Sequence, residues 1–166
     1  DFEAFSKDDD SPVTTADYKS NEIITAYLDE HCPDIPIMSE ETSHESLEVR
    51  KAWDRYWLID PIDGTQEFIA RSGDFAVNIA LIENHEPVIG VIYWPVGETL
   101  YFASKGNGAF KESPKEDKQI FVRKLQDPEH GEVLVAISRR QNINRVMSGM
   151  TKDRIYSTIP LGSCAL

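Results

Sequence analysis

The chain has 166 residues, 40% of them hydrophobic, enough for one domain with a core of its own and too apolar for a disordered chain. Its 29 acidic and 17 basic side chains leave a formal charge of -12, a field that repels nucleic acid and anionic membranes and obliges a phosphate-bearing ligand to come with cations. Two distant cysteines, Cys32 and Cys164, make neither a secreted disulfide framework nor a zinc pattern and point to a reducing, intracellular home; no apolar run nears the roughly 20 residues of a membrane span, and the acidic DFEAFSKDDDSP is unlike a signal peptide.

Ser11-Pro12 disfavours helix, and Thr14-x-x-Asp17 fits a capping box that opens one. Ala16, Ile23, Ile24, Tyr27 and Leu28 recur near helical spacing until the two prolines of HCPDIP stop the pattern at about His31. IPIM reads as a short strand delivering Ser39, Glu40 and Glu41 at its carboxyl end, SLEVRKAW as one or two helical turns, and RYWLID as the next strand. A short helix over Gln66 to Ala70 follows DPIDGT. FAVNIALIE, EPVIGVIYWP and TLYFASK predict three strands joined by tight antiparallel turns at NHE and VGE. KGNGAF supplies a Gly-rich turn, SPKEDKQ a solvated loop, GEVLVAIS a further strand and NINRVMSGM a helix. This order predicts a layered α/β or α+β domain, one unit over residues 1–166, with no repeat and no low-complexity tract.

Four acidic clusters stand out. Asp8-Asp9-Asp10 reads as a solvated run, Glu40-Glu41 alone as surface charge, and Asp17 as a first-turn acid favoured by the helix dipole. Asp60 and Asp63 differ, because they end an apolar strand and Pro61 fixes the backbone between them, so the two carboxylates can converge instead of alternating across the sheet. Paired hard oxygens suit Mg²⁺, and Gly64 and Thr65 open a helix whose amides and dipole face the same spot, which places an anion site beside a cation site. Turn and capping acids around a glycine would show the same spacing. No Walker loop, dinucleotide fingerprint or G-x-S-x-G elbow is present, and His31, His44, His85 and His130 lie in polar segments, so NTP binding and Ser/His hydrolysis are poorly supported.

IDPIDGTQEFI closely resembles the D-P-[IL]-D-G-T motif of the inositol monophosphatase superfamily of Mg²⁺-dependent, lithium-sensitive phosphatases. DDSPVTTAD is similar to that family's S-P-V-T-x-A-D segment, IPIMSEE to its glutamate strand, and GDFAVNIALIENHEPVIGVIYWP to its paired strands after the metal loop. EFI after the Gly-Thr pair, with RYWLIDP and AISRR, resembles the CysQ-type branch of 3'(2'),5'-bisphosphate nucleotidases, which take adenosine 3',5'-bisphosphate to AMP in sulfur assimilation.

The resemblance implies a sugar-phosphatase-like fold with a mixed, largely antiparallel sheet flanked by helices. It implies two or three Mg²⁺ ions held by Glu40, Asp60, Asp63 and the Ile62 carbonyl, with Glu41 secondary. Asp17, Glu40 and Thr65 would be catalytic, while Asp63, Gly64, Thr65, Ser138 and Arg139 would meet the phosphorylated nucleotide, although SRRQ stands where SRSH is usual. A cytoplasmic place, or a peripheral one on the cytoplasmic side of the inner membrane, is also implied. Family members are longer at both ends, and their W-D-x-A-A-G aspartate has no counterpart here, WDRYW lying before the metal loop. The expectation is therefore the N-terminal portion of the fold, weak or inactive alone, with an exposed apolar face open to self-association. An inositol or other sugar phosphatase is the alternative within the class, and a non-catalytic metal- or phosphate-binding fragment the alternative outside it.

Overall fold

The computed structural model of the chain describes residues 2–7, 11–42, 45–124, 131–150 and 154–163. Asp8-Asp9-Asp10, His44, His130 and the Cys164–Leu166 stretch lie outside the described residues.

A hairpin of β1 (Ala4–Ser6) and β2 (Pro12–Thr14) opens the fold, where the sequence suggested only a polar lead. Thr14 then caps α1 (Thr15–His31) through the expected box, with Asp17 at its third position, and the helix ends where the prolines of HCPDIP begin. Next come β3 (Ile37–Ser39), α2 (Leu47–Lys51), β4 (Arg55–Asp63), α3 (Thr65–Ile69), β5 (Ala76–Glu83), β6 (Glu86–Trp94), β7 (Thr99–Ser104), β8 (Gly108–Glu112) and β9 (Asp117–Ile120). These strands make one sheet in the order β3-β4-β5-β6-β7-β8-β9, antiparallel throughout except for the parallel β3–β4 pair. A separate parallel pair, β10 (Val133–Ser138) and β11 (Tyr156–Leu161), brackets α4 (Ile143–Ser148).

Two elements correct the sequence reading. The DKQ end of SPKEDKQ is strand rather than loop: β9 pairs with β8, and Glu116 lies 3.3 Å from Lys111 and 2.8 Å from Lys118, offsetting the repulsion of two lysines that face each other across the ladder. Such a charged strand suits a sheet edge, where unpaired backbone needs protection from association. The β11 strand was hidden by Pro160, which is tolerated here because among the described residues β11 pairs with β10 alone.

The core joins Val13, Leu28, Ile59, Ile62, Ala76, Leu81 and Ile82, all buried. Against it α1 presents a polar side as well: Asp17 and Asn21, one turn apart, are buried, and the Ser39 hydroxyl donates to Asn21 Oδ1 at 2.5 Å. The Ser20 hydroxyl donates to the Pro61 carbonyl at 3.0 Å. Polar contacts thus pin the start of α1 over the end of β4, and that junction carries the site. No helix among the described residues is long and apolar enough to cross a membrane.

Candidate active site

The site begins with a parity problem. Asp60 and Asp63 are three residues apart, which in a regular strand would put them on opposite faces. In β4 the ladder pairs Asp60 with Asn78 and Asp63 with Ala76, so Pro61 and Ile62 together face Val77 alone. This two-against-one bulge restores the parity and brings both carboxylates to one face. Proline fits there because a bulge does not need its missing N–H. The same face continues as a cleft of about 730 Å³ lined by Glu40, Asp60, Asn78, Leu58, Ala80 and Ile92.

Crowding marks the acids. Burial, then the charges of Glu40 and Asp63, push the Asp60 carboxyl up to about 7. Its Oδ1 and the Oδ1 of its ladder partner Asn78 are buried without a hydrogen-bond partner. Glu40 is brought alongside by its backbone N–H, which donates to the Ile59 carbonyl at 3.1 Å. The Lys7 ammonium, from the end of β1, reaches Glu40 at 3.1 Å and the buried Glu41 at 2.7 Å. Burial raises Glu41 against the pull of Lys7, whereas for Lys7 the burial cost is outweighed by hydrogen bonds to Glu41 and Glu40 that hold its pKa up.

Beyond the bulge Gly64 turns the chain into α3 at φ 93°, where a Cβ would also stand 3.0 Å from the Asp74 carbonyl and 3.4 Å from the Ser163 Cβ. Thr65 follows. Its hydroxyl lies 3.1 Å from Asp17 Oδ1 and 3.2 Å from the Ile62 carbonyl. Asp17 is fully buried, and its other oxygen accepts the Thr14 N–H at 2.8 Å and the Thr14 hydroxyl at 2.5 Å. One acid thus ties the start of α1 to the start of α3, across 48 residues of sequence.

The structure therefore groups Glu40, Asp60 and Asp63 around the bulge and joins Asp17 to Thr65, with Ile62 and Gly64 between them. Among the described residues no three His, Cys, Asp or Glu side chains stand as a ready-made cation cage; like charges at this spacing take other partners, Lys7 for Glu40 and the Ser163 hydroxyl for Asp63. The SRR segment makes contacts within the protein. Ser138 Oγ accepts the Arg140 N–H at 3.3 Å, and Arg139 pairs with Glu67 and Asp74. The sequence reading missed Lys7, Glu67, Asp74, Asn78 and Ser163 of this neighbourhood. Asn78 alone left a local trace, as a polar residue inside an otherwise apolar strand.

A bulged D-P-I-D loop at the end of a mixed sheet, followed by a Gly-Thr helix start and backed by a buried aspartate, defines a class: the chain belongs to the inositol monophosphatase family, whose pattern matches residues 2–166. Within it, the chain is 45% identical over 157 residues to the 3'(2'),5'-bisphosphate nucleotidase CysQ of Salmonella typhimurium, covering 95% of this chain and 61% of that protein. Against CysQ of Escherichia coli K12 the identity is 47% over 162 residues, 98% of this chain and 63% of the relative. The chain thus spans about three fifths of the length of these relatives. The fold matches the crystal structure of CysQ from Bacteroides thetaiotaomicron with TM-score 0.69 at 33% identity, over 88% of this chain and 58% of that one. It matches the IMPase of Thermotoga maritima with TM-score 0.76 at 28% identity, over 97% and 59%. The expected sugar-phosphatase-like architecture is thereby met.

Proposed function

We propose that this chain carries the metal- and phosphate-binding core of a Mg²⁺-dependent phosphatase that removes the 3'-phosphate of adenosine 3',5'-bisphosphate to give AMP. The observation that carries the reading is the bulge at the end of β4, which turns Asp60 and Asp63 to one face and leaves a buried, unpartnered Asp60 oxygen beside them. Such an oxygen, on a carboxylate pushed up to about 7 by its acidic neighbours, fits a divalent cation. The identity to nucleotidases supports the choice of substrate.

Glu40, Asp60, Asp63 and the Ile62 carbonyl would hold the ions, two or three in number. When bound, Mg²⁺ supplies an acidified water and neutralises phosphate charge. The chain's own residues position the rest. Thr65 gives its hydroxyl proton toward Asp17 Oδ1 or the Ile62 carbonyl, which leaves Oγ1 lone pairs to accept a hydrogen from the attacking water. The Thr14 donors keep Asp17 in place as an acceptor. The Gly64 and Thr65 amides, at the start of α3, have no intrahelical carbonyl to bond and would be available to a phosphate there. Positioning and charge stabilisation are what phosphoryl transfer asks of a protein.

The test compares Mg²⁺-dependent binding and phosphate release for adenosine 3',5'-bisphosphate and inositol 1-phosphate, with and without a chelator. Slow release from the nucleotide that stops with chelator supports the proposal. Preference for inositol 1-phosphate replaces the substrate, binding without any turnover makes the chain a binding module, and the lack of metal-dependent binding rejects the site.

A further inference from the structure

The acids of the bulged loop are bracketed from outside by the β10–β11 pair. Arg139 follows β10, and its backbone N–H donates to the Leu161 carbonyl at 3.0 Å, so its main chain lies beside the end of β11 and the Gly162-Ser163 pair that continues it. Its guanidinium then spans two carboxylates. Nη1 reaches Glu67 Oε2 at 3.2 Å, and Nη2 pairs with Asp74 Oδ2. Glu67 sits on α3, immediately after the loop carrying Asp63; Asp74 leads into Ala76, the ladder partner of Asp63. The two acids that Arg139 grips therefore flank Asp63 on both of its structural neighbours.

Other contacts tighten the seam. Arg140 adds a second cation on Glu67 at 3.3 Å, and the Ser72 hydroxyl donates to Glu67 at 2.7 Å. Gly162 lets the surfaces meet, since a Cβ there would stand 2.6 Å from both Asp74 Cβ and Glu67 Cγ. At the inner end of this seam Ser163, 1% exposed, donates its hydroxyl to Asp63 Oδ2.

We propose that Arg139 is a positioning residue for the metal loop: by spanning Glu67 and Asp74 it docks the end of β11 so that Ser163 orients the Asp63 carboxylate. This rests on the metal-loop reading above. A planar fork that binds two carboxylates at once suits the task, and a lysine would supply the charge without the span. Partners that orient a metal-binding carboxylate are typically worth about 10–100-fold in metal affinity.

Mn²⁺ titration of the wild-type protein, followed by calorimetry or by the electron spin resonance of free Mn²⁺, tests it alongside thermal melts. Arg139→Met and Ser163→Ala should each weaken Mn²⁺ binding by about 10–100-fold, with Arg139→Lys in between. The double variant should bind no more weakly than the weaker single one, because both changes release the same carboxylate. Wild-type affinity in Arg139→Met, or losses that multiply in the double variant, overturns the inference. Should Arg139→Met fail to fold, Arg139→Lys decides the case by the same criteria. A wild-type protein that does not bind Mn²⁺ overturns the metal reading itself and this inference with it, which separates the two failures.

Discussion

Replacing Asp60 with asparagine should stabilise the protein while removing its response to Mg²⁺. The folded state raises the Asp60 carboxyl from 3.8 to about 7, through burial first and then Glu40 and Asp63. At about 1.4 kcal/mol per pKa unit that is roughly 4 kcal/mol against folding with the group ionised. Asp60 is only partly buried, so solvent screening reduces the figure to about 1–3 kcal/mol. For the sign, a raised acid binds more protons folded than unfolded between the two values. The penalty is therefore absent below about pH 4, grows through the window, and is complete above about pH 7. Asparagine cannot ionise, and at a domain of this size each kcal/mol moves Tm by about 2–4 °C. Thermal melts in chelator should thus show Asp60→Asn above wild type by about 2–12 °C near pH 8, with the gap less than half as large near about pH 5. Adding Mg²⁺ should raise the wild-type Tm and leave the variant unmoved, since a cation stabilises only the state that binds it. An Asp60→Asn protein no more stable than wild type near pH 8 in chelator would refute the claim that these carboxylates are crowded.

Gly162→Ala should cost about 1–3 kcal/mol, because the added Cβ meets Asp74 Cβ and Glu67 Cγ at 2.6 Å; denaturant melts measure it, and an unchanged midpoint contradicts the close seam. Lys7→Met leaves the buried Glu41 without its cation, so stability should fall by about 1–3 kcal/mol, more at alkaline than at acid pH. Glu67 is held below its usual pKa, first by the Ser72 hydroxyl and then, against its burial, by Arg140 and Arg139. Its contribution is present above the ordinary glutamate value and lost as pH falls through the lowered one; Glu67→Gln should be the less stable protein at neutral pH and equal to wild type in acid, as paired melts across that range would show.

Local chemistry explains which parts of this molecule were legible in its sequence. Thr14 and Asp17 announce a helix start because the capping box is complete within four residues. The strands β4 to β7 show because branched and aromatic runs are cut by turn residues. The convergence of Asp60 and Asp63 was foreseen from Pro61, though its device, a bulge that spends two residues against Val77, was not. Contacts that close over long spans left little or no mark. Lys7 lies in a polar lead and meets Glu41 34 residues on, and Ser163 meets Asp63 across 100. Arg139 shows the limit best. Its residue type announces an anion, and in a chain with 29 acids the sequence does not say that Glu67 and Asp74 are the carboxylates it pairs with.

The same contrast describes how the site is held. Its acids gather at a bulged sheet end, yet their orientation depends on three groups from distant sequence: Lys7 on Glu40 and Glu41, Ser163 on Asp63, and Thr65 tied to Asp17. None of the three adds apolar burial; each satisfies a charge that the sheet alone would leave repelled or unpaired. Polar closures of this kind are worth less than core packing and can open while the sheet persists. A cation entering the bulge would compete with Lys7 for Glu40, yet it would gain from the orientation that Ser163 gives Asp63. If the proposed metal loop binds a cation, the two clamps would oppose one another in their effect on its affinity, one by occupying a carboxylate and the other by aiming one.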